Sequence, residues 1–151
     1  MENLIEKFYT ALNNRDAKTM ISCYHDDVVF KDPAFGKLKG DKAKAMWQML
    51  CKNAQNFKVE FSLIKANNHN GSAHWEAWYT FSKTGKSVHN KIDAQFEFKD
   101  GKIIKHIDHF NLHKWASQAL GWKGVLLGGT GFFKKKLIGQ TNKMLDKFMA
   151  S

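Results

Sequence analysis

From Phe57 onward the apolar residues change from helical to alternate spacing, and this switch constrains the fold of the 151-residue chain more than any other feature. Phe57, Val59, Phe61 and Leu63 alternate with Lys58, Glu60 and Ser62, the period of a strand with one buried face. Asn70-Gly71, Thr84-Gly85 and Asp100-Gly101 follow, dipeptides whose tolerance of positive φ suits tight hairpins. The spacing predicts a four-stranded antiparallel meander. Its third strand is the cleanest, with Val88, Asn90, Ile92, Ala94, Phe96 and Phe98 on one face and His89, Lys91, Asp93, Gln95 and Glu97 on the other.

Ahead of the meander the period is helical. Leu4, Ile5, Phe8, Tyr9 and Leu12 predict a helix over about 3–13. Asp16 is placed to cap a second, from Ala17 to about Tyr24, which Asp26-Asp27 closes before a short strand Val28–Phe30. Pro33 removes a ladder donor and ends that strand after Asp32. Gly40-Asp41 opens a third helix to about Ala54. Three helices before a long meander imply an α+β fold with helices covering one sheet face, and a strongly twisted sheet wrapped round a helix makes a cone.

Composition narrows the function classes. Apolar residues at 43% and charged ones at 25% fit one globular domain with a sizeable core. No run of 18 apolar residues exists, and Glu2 and Glu6 stand where a leader peptide carries basic residues, so neither a span nor a signal peptide is expected. Cys23 and Cys51 show no CxxC spacing and read as reduced thiols in a cytoplasmic protein. The net charge of +10 gathers toward the end, where residues 111–151 hold seven lysines against Asp146 alone. Arg15 is the one arginine, and lysine cannot supply the planar fork that reads phosphates and guanine edges, so nucleic acid is not an expected partner.

Asp32, beside Phe30 and Phe35, reads either as a turn former or as a carboxylate on the rim of an apolar space, where burial raises its pKa. The last strand carries His106, Asp108 and Phe110 on one face and Lys105, Ile107 and His109 on the other. Both faces are mixed, so alternation leaves open which is inside. His106, His109 and His113 invite a metal reading, but strand parity sends the first two to opposite faces, so no metal site is expected. No GxSxG, P-loop, GxGxxG or CxxC motif is present, and no cofactor is expected. Residues Gly121 to Gly131 read as a hinge. Beyond it Phe133, Leu137, Ile138, Met144, Leu145 and Phe148 stripe a helix opposite Lys134, Lys135, Lys136, Lys143 and Lys147. Such a helix suits either an anionic membrane surface or docking on its own domain or a dimer mate, the commoner use.

Leu12-Asn13-Asn14-Arg15-Asp16, Asp26 through Pro33, Asp100-Gly101-Lys102-Ile103 and Asp108-His109-Phe110-Asn111 resemble the nuclear transport factor 2-like superfamily of conical α+β domains. That group includes ketosteroid isomerases, limonene epoxide hydrolases and SnoaL-like polyketide cyclases. The likeness covers about residues 3–122, and Val88 to Phe96, His106 to Phe110 and Trp115 to Gly121, with the lysine-rich tail, are similar to a bacterial branch without assigned function. It implies a domain over 1–122, then a glycine-rich hinge and basic helix over 123–151. Asp32 matches the isomerase general base, an enzyme whose aspartate base and protonated-acid oxyanion hole are a standard example. The tyrosine of that hole falls on Phe8 and its acid on Ala94, which argues against the familiar steroid isomerisation. Against the epoxide hydrolases Asp108 matches one catalytic carboxylate, but the site's arginine and second aspartate fall near Ala77 and Tyr79. Against the cyclases Asp108 matches the acid/base, with His106 its polar support.

The resemblance also turns His106, Asp108 and Phe110 inward, joined by Asn90, Ile92, Phe96, Trp75, Tyr79 and Trp115. The resulting expectation is an apolar pocket opening near Pro33 to Lys37. It would bind a small apolar molecule and support cofactor-independent isomerisation, cyclisation or water addition, with Asp108 as acid/base, His106 its tuner and Asp32 a second carboxylate. The competing expectation is a non-catalytic ligand-binding or interaction module. A homodimer is implied, its interface on the outer sheet face with His74, Glu76, Trp78, His89 and Lys91.

Overall fold

The meander is present as β3 (Lys58–Ala66), β4 (Asn70–Phe81), β5 (Lys86–Lys99) and β6 (Lys102–His109) in a computed structural model that describes residues 1–151. Two further strands, β1 (Tyr24–Asp32) and β2 (Gly36–Lys39), extend it to six in the order β2-β1-β6-β5-β4-β3. Every pairing is antiparallel except that of β1 with β6, which run parallel with Phe30 opposite His106. The helices are α1 (Glu2–Asn13), α2 (Ala17–Ser22), α3 (Asp41–Asn53), α4 (Leu112–Leu120), α5 (Trp122–Leu127) and α6 (Gly131–Ala150).

The sheet curves round α1 and α3. Ile5, Phe8, Tyr9 and Leu12 of α1 and Met46 and Trp47 of α3 are buried against Trp75, Ile92, Phe96 and Ile103. Each such side chain contributes roughly 1.5–3 kcal/mol by leaving water. Asp16 caps α2 as expected, its carboxylate accepting from the Thr19 N–H at 3.1 Å and the Thr19 hydroxyl at 2.6 Å. The Asp100-Gly101 hairpin has both residues at positive φ, 54° and 73°, as a primed turn requires.

Four local expectations are corrected. Helix α2 stops at Ser22, and Tyr24 opens β1 instead of closing the helix. Met20, Ile21 and Tyr24 sit at helical spacing, but Tyr24 is buried by the sheet, and the β1–β6 ladder is irregular between Tyr24 and Val29, so Asp26 and Asp27 stay exposed within the strand. Asn70-Gly71 is not the hairpin turn. Asn67 makes it, its side chain accepting from the His69 and Asn70 N–H groups at 2.8 Å, while Gly71 pairs inside the sheet, where a Cβ would lie 2.9 Å from the Phe98 ring. Leu63 leaves the apolar face at a register shift in β3, with φ 55° and its side chain exposed. The glycine-rich stretch carries helix α5, held against α4 because a Cβ on Gly124 would collide with the Ala116 carbonyl.

Helix α6 docks on its own domain. Leu145 is fully buried, and Phe133 and Leu137 pack on the cluster of Val88, Trp115, Ala116 and Ala119. The Thr141 hydroxyl donates to the Ala34 carbonyl at 2.8 Å and the Asn142 amide to the Phe35 carbonyl at 2.9 Å. Its lysines face outward. No helix is long and apolar enough to cross a membrane.

Candidate active site

The face of β6 that alternation left open is settled by burial: His106 is 0% and Asp108 3% exposed, whereas Lys105 and His109 on the other face are exposed. Parallel pairing to β1 and antiparallel pairing to β5 cover this strand on both edges. Rings of Phe8, Tyr24, Phe30, Trp47 and Phe96 surround the imidazole, with centroids 4.5–6.1 Å away. In such surroundings each polar atom needs a partner.

The partners form a directed chain. Trp47 Nε1–H donates to the Tyr24 oxygen at 2.8 Å. An indole N–H only donates, so the Tyr24 oxygen accepts there, and the same oxygen lies 2.7 Å from His106 Nδ1. A carboxylate only accepts, so a ring proton sits on Nε2, which donates to Asp108 Oδ1 at 2.9 Å. Trp75 Nε1–H donates to the same oxygen at 3.3 Å. Asp108 Oδ1 is held by two donors while Oδ2 makes no hydrogen bond within the protein.

Tyr9 adds a feature that its helical spacing hid. It is fully buried between Phe61, Trp75 and Phe96, and its hydroxyl is the one buried side-chain polar atom without a hydrogen-bond partner. Such an orphan costs about 1–3 kcal/mol. Burial first, and the Asp108 carboxylate second, push its pKa up and keep the proton on oxygen, so the Tyr9 hydroxyl keeps a proton to donate and has no partner for it within the protein. Tyr9, Tyr24 and Trp47 are the site residues that spacing did not reveal; an aromatic stripe on a helix reads as core until its polar ends are traced.

Asp32 combines both readings offered for it. Its Oδ1 accepts the Ala34 N–H at 2.9 Å and the Phe35 N–H at 2.6 Å, closing the turn after Pro33. Burial also pushes its carboxyl up to about 7, with the Asp108 charge raising it further and the two amide bonds opposing. Nearer the surface, Trp115 Nε1–H donates to the Tyr79 oxygen at 2.6 Å, and burial takes the Tyr79 phenol up to about 12. Asn90 and Phe110 are half-buried, and the Asn90 amide makes no hydrogen bond within the protein. Ile92 and Phe96 are buried in the main core and act as wall.

The arrangement departs from expectation at its entrance. Residues 33–37 are strapped by α6, with Ile138 over Gly36 at contact distance. A surface cleft of about 600 Å³ runs past Glu2, Lys65, Asn70, Glu97 and Lys105, and one of about 550 Å³ past Lys44, Gln48, Lys52 and Phe148. Neither is lined by Asp32, His106 or Asp108. The other histidines are kept apart: His109 is exposed on the outer face, and His113 on α4 lies 2.8 Å from the Val125 carbonyl. Both cysteines are free, and burial pushes the Cys51 thiol up to about 11.

Comparison with known proteins agrees with this architecture. An epoxide hydrolase of the limonene type from M. tuberculosis is 22% identical, with a TM-score of 0.64, covering 83% of this chain and 89% of that one. A candidate polyketide cyclase from Xanthomonas campestris is 20% identical, with a TM-score of 0.65 and coverage of 77% and 93%. A protein of ketosteroid isomerase-like fold from Catenulispora acidiphila, bound to trimethylamine, is 10% identical, with a TM-score of 0.67 and coverage of 77% and 91%. At these identities the likeness is one of fold. No curated protein matches by sequence. The model of the SnoaL-like domain matches residues 5–106, and with the sheet wrapped round its helices and the ionisable pair buried on β6, the chain belongs to the SnoaL-like domain family.

Proposed function

We propose that this protein binds a small, largely apolar molecule in the interior beside β6 and moves a proton on it with Asp108. The observation that carries the reading is the buried Asp108 carboxylate, one oxygen fixed by His106 and Trp75 and the other uncommitted. An aspartate oriented in this way can take a proton from a carbon beside a carbonyl, or from an attacking water, and return it to the product. His106 fixes its geometry, Asp32 is a second group able to hold a proton near neutrality, and the Tyr9 hydroxyl is the donor for the ligand's oxygen. Asn90, Tyr79, Phe110 and Trp115 would line the approach. The chemistry calls on isomerisation, cyclisation or water addition and needs no cofactor.

Ligand binding is testable without knowing the reaction. Denaturing extraction of the purified chain followed by mass spectrometry should release a small apolar compound. Titration with that compound should give an affinity that Tyr9→Phe lowers about 3- to 10-fold, the worth of one neutral hydrogen bond. Unchanged affinity in Tyr9→Phe would remove the tyrosine from the site. The ring packing round His106 favours a second reading, in which the interior binds and does not turn over.

A cytoplasmic homodimer is part of the proposal. The outer sheet face carries a network in which His74 joins Asp93 and Glu76 at 2.9 Å, His89 joins Glu76 at 2.6 Å, and Trp78 stacks on His89 at 4.3 Å. A face so organised, with a half-exposed tryptophan, suits an isologous contact. Sedimentation at micromolar concentration should give twice the chain mass, and Trp78→Lys should return it to the monomer; a parent that sediments as a monomer refutes the dimer.

A further inference from the structure

Helix α5 is built inside out. Its glycine faces the domain, where a Cβ on Gly124 would collide with the Ala116 carbonyl and one on Gly128 would lie 2.6 Å from the Ala116 Cβ. The large apolar side chains face water: Trp122, Val125, Leu126 and Leu127, with Phe132 in the first turn of α6, each leave more than half of their surface exposed. A domain that packs Trp115 away just before this helix and Leu145 after it does not lack space for them, and an exposed cluster of this kind marks a contact surface. Caps hold the corner in shape. The His113 ring lies 2.8 Å from the Val125 carbonyl, and the Thr130 hydroxyl donates to the Leu127 carbonyl at 2.7 Å.

Charge identifies the occupant. Lys123, Lys134, Lys135 and Lys136 are exposed beside the apolar cluster, and Lys123 Nζ lies 5.9 Å from the Trp122 ring centre. No aspartate or glutamate occurs between Asp108 and Asp146. A second copy of this corner would bring the lysines against each other, whereas an anionic lipid surface satisfies both parts at once. Lysines hold the headgroups, and tryptophan, leucine and phenylalanine enter the interfacial layer. We infer that the α5–α6 corner is a peripheral docking site for anionic bilayers, independent of the interior site. The apolar stripe of α6 is not what inserts, because Phe133, Leu137 and Leu145 are packed on the domain.

The full-length protein should co-sediment with vesicles of phosphatidylcholine mixed with phosphatidylglycerol at low salt, and about tenfold less with phosphatidylcholine alone or at about 0.5 M salt. Trp122→Ser with Leu126→Ser should lower binding about tenfold at every salt concentration while leaving circular dichroism unchanged. Lys134→Gln, Lys135→Gln and Lys136→Gln together should remove most of the salt dependence. Protein left in the supernatant with every vesicle at low salt overturns the inference. So does binding indifferent to lipid charge, or concentration-dependent self-association that Leu126→Ser abolishes.

Discussion

Asp108→Asn should lower turnover about 10²- to 10⁴-fold, the usual worth of a positioned acid or base. The substitution is nearly isosteric, and an asparagine oxygen still accepts from His106 Nε2 and Trp75 Nε1, so the chain from Trp47 through Tyr24 keeps its direction. What disappears is the ability of the second oxygen to take a proton. The measurement compares parent and variant on small epoxides, enones and β-dicarbonyl compounds by chromatography, with thermal unfolding as the control for folding. A variant as active as the parent refutes the acid/base role. A parent that binds these compounds and converts none assigns the interior to binding alone.

Asp32→Asn should change the pH dependence of stability. In the folded chain burial raises the Asp32 carboxyl to about 7, whereas unfolding returns it to the ordinary carboxylate range. Between those two values the folded state holds a proton that the unfolded state has released, so stability falls as pH rises through the window from about 4 to about 7. The interval corresponds to about 4 kcal/mol, and partial exposure of the side chain reduces it to about 2–3 kcal/mol. Asparagine still accepts from the Ala34 and Phe35 amides and has no charge to bury. The variant should therefore match the parent near pH 4 and exceed it by about that amount at pH 8, read from urea unfolding at each pH. A difference independent of pH, or a variant weaker at pH 8, would show that Asp32 ionises freely in the folded chain.

The fold was largely legible because its signals are local. Alternation in β5, the Asp100-Gly101 turn and the Asp16 cap each rest on residues a few positions apart. What escaped depends on distant partners. Tyr24 falls at helical spacing from Met20, and only pairing with Ile103 of β6 makes it the first residue of a strand. Gly71 looks like half of a turn until the Phe98 ring is found beside it. The candidate site divides in the same way. His106 and Asp108 were visible as a pair two residues apart on one strand, yet their direction depended on what covers the sheet. Trp47 and Tyr24 are 23 residues apart on different elements, and no spacing announces that an indole, a phenol and an imidazole will meet end to end. The cover that α6 lays over residues 33–37 was hidden because nothing in them foretells a helix arriving more than a hundred residues later.

The grip of that last helix reaches further than packing. Thr141 and Asn142 hold the carbonyl ends of residues 34 and 35, and the amide ends of the same two residues hold Asp32. The terminal segment and the acid are thus geared together through the backbone of one pair of adjacent residues. Loosening α6 would let water wet the carboxyl and relax its acidity toward that of a free aspartate, so trimming this tail would retune the proton inventory of the interior as well as shorten the chain.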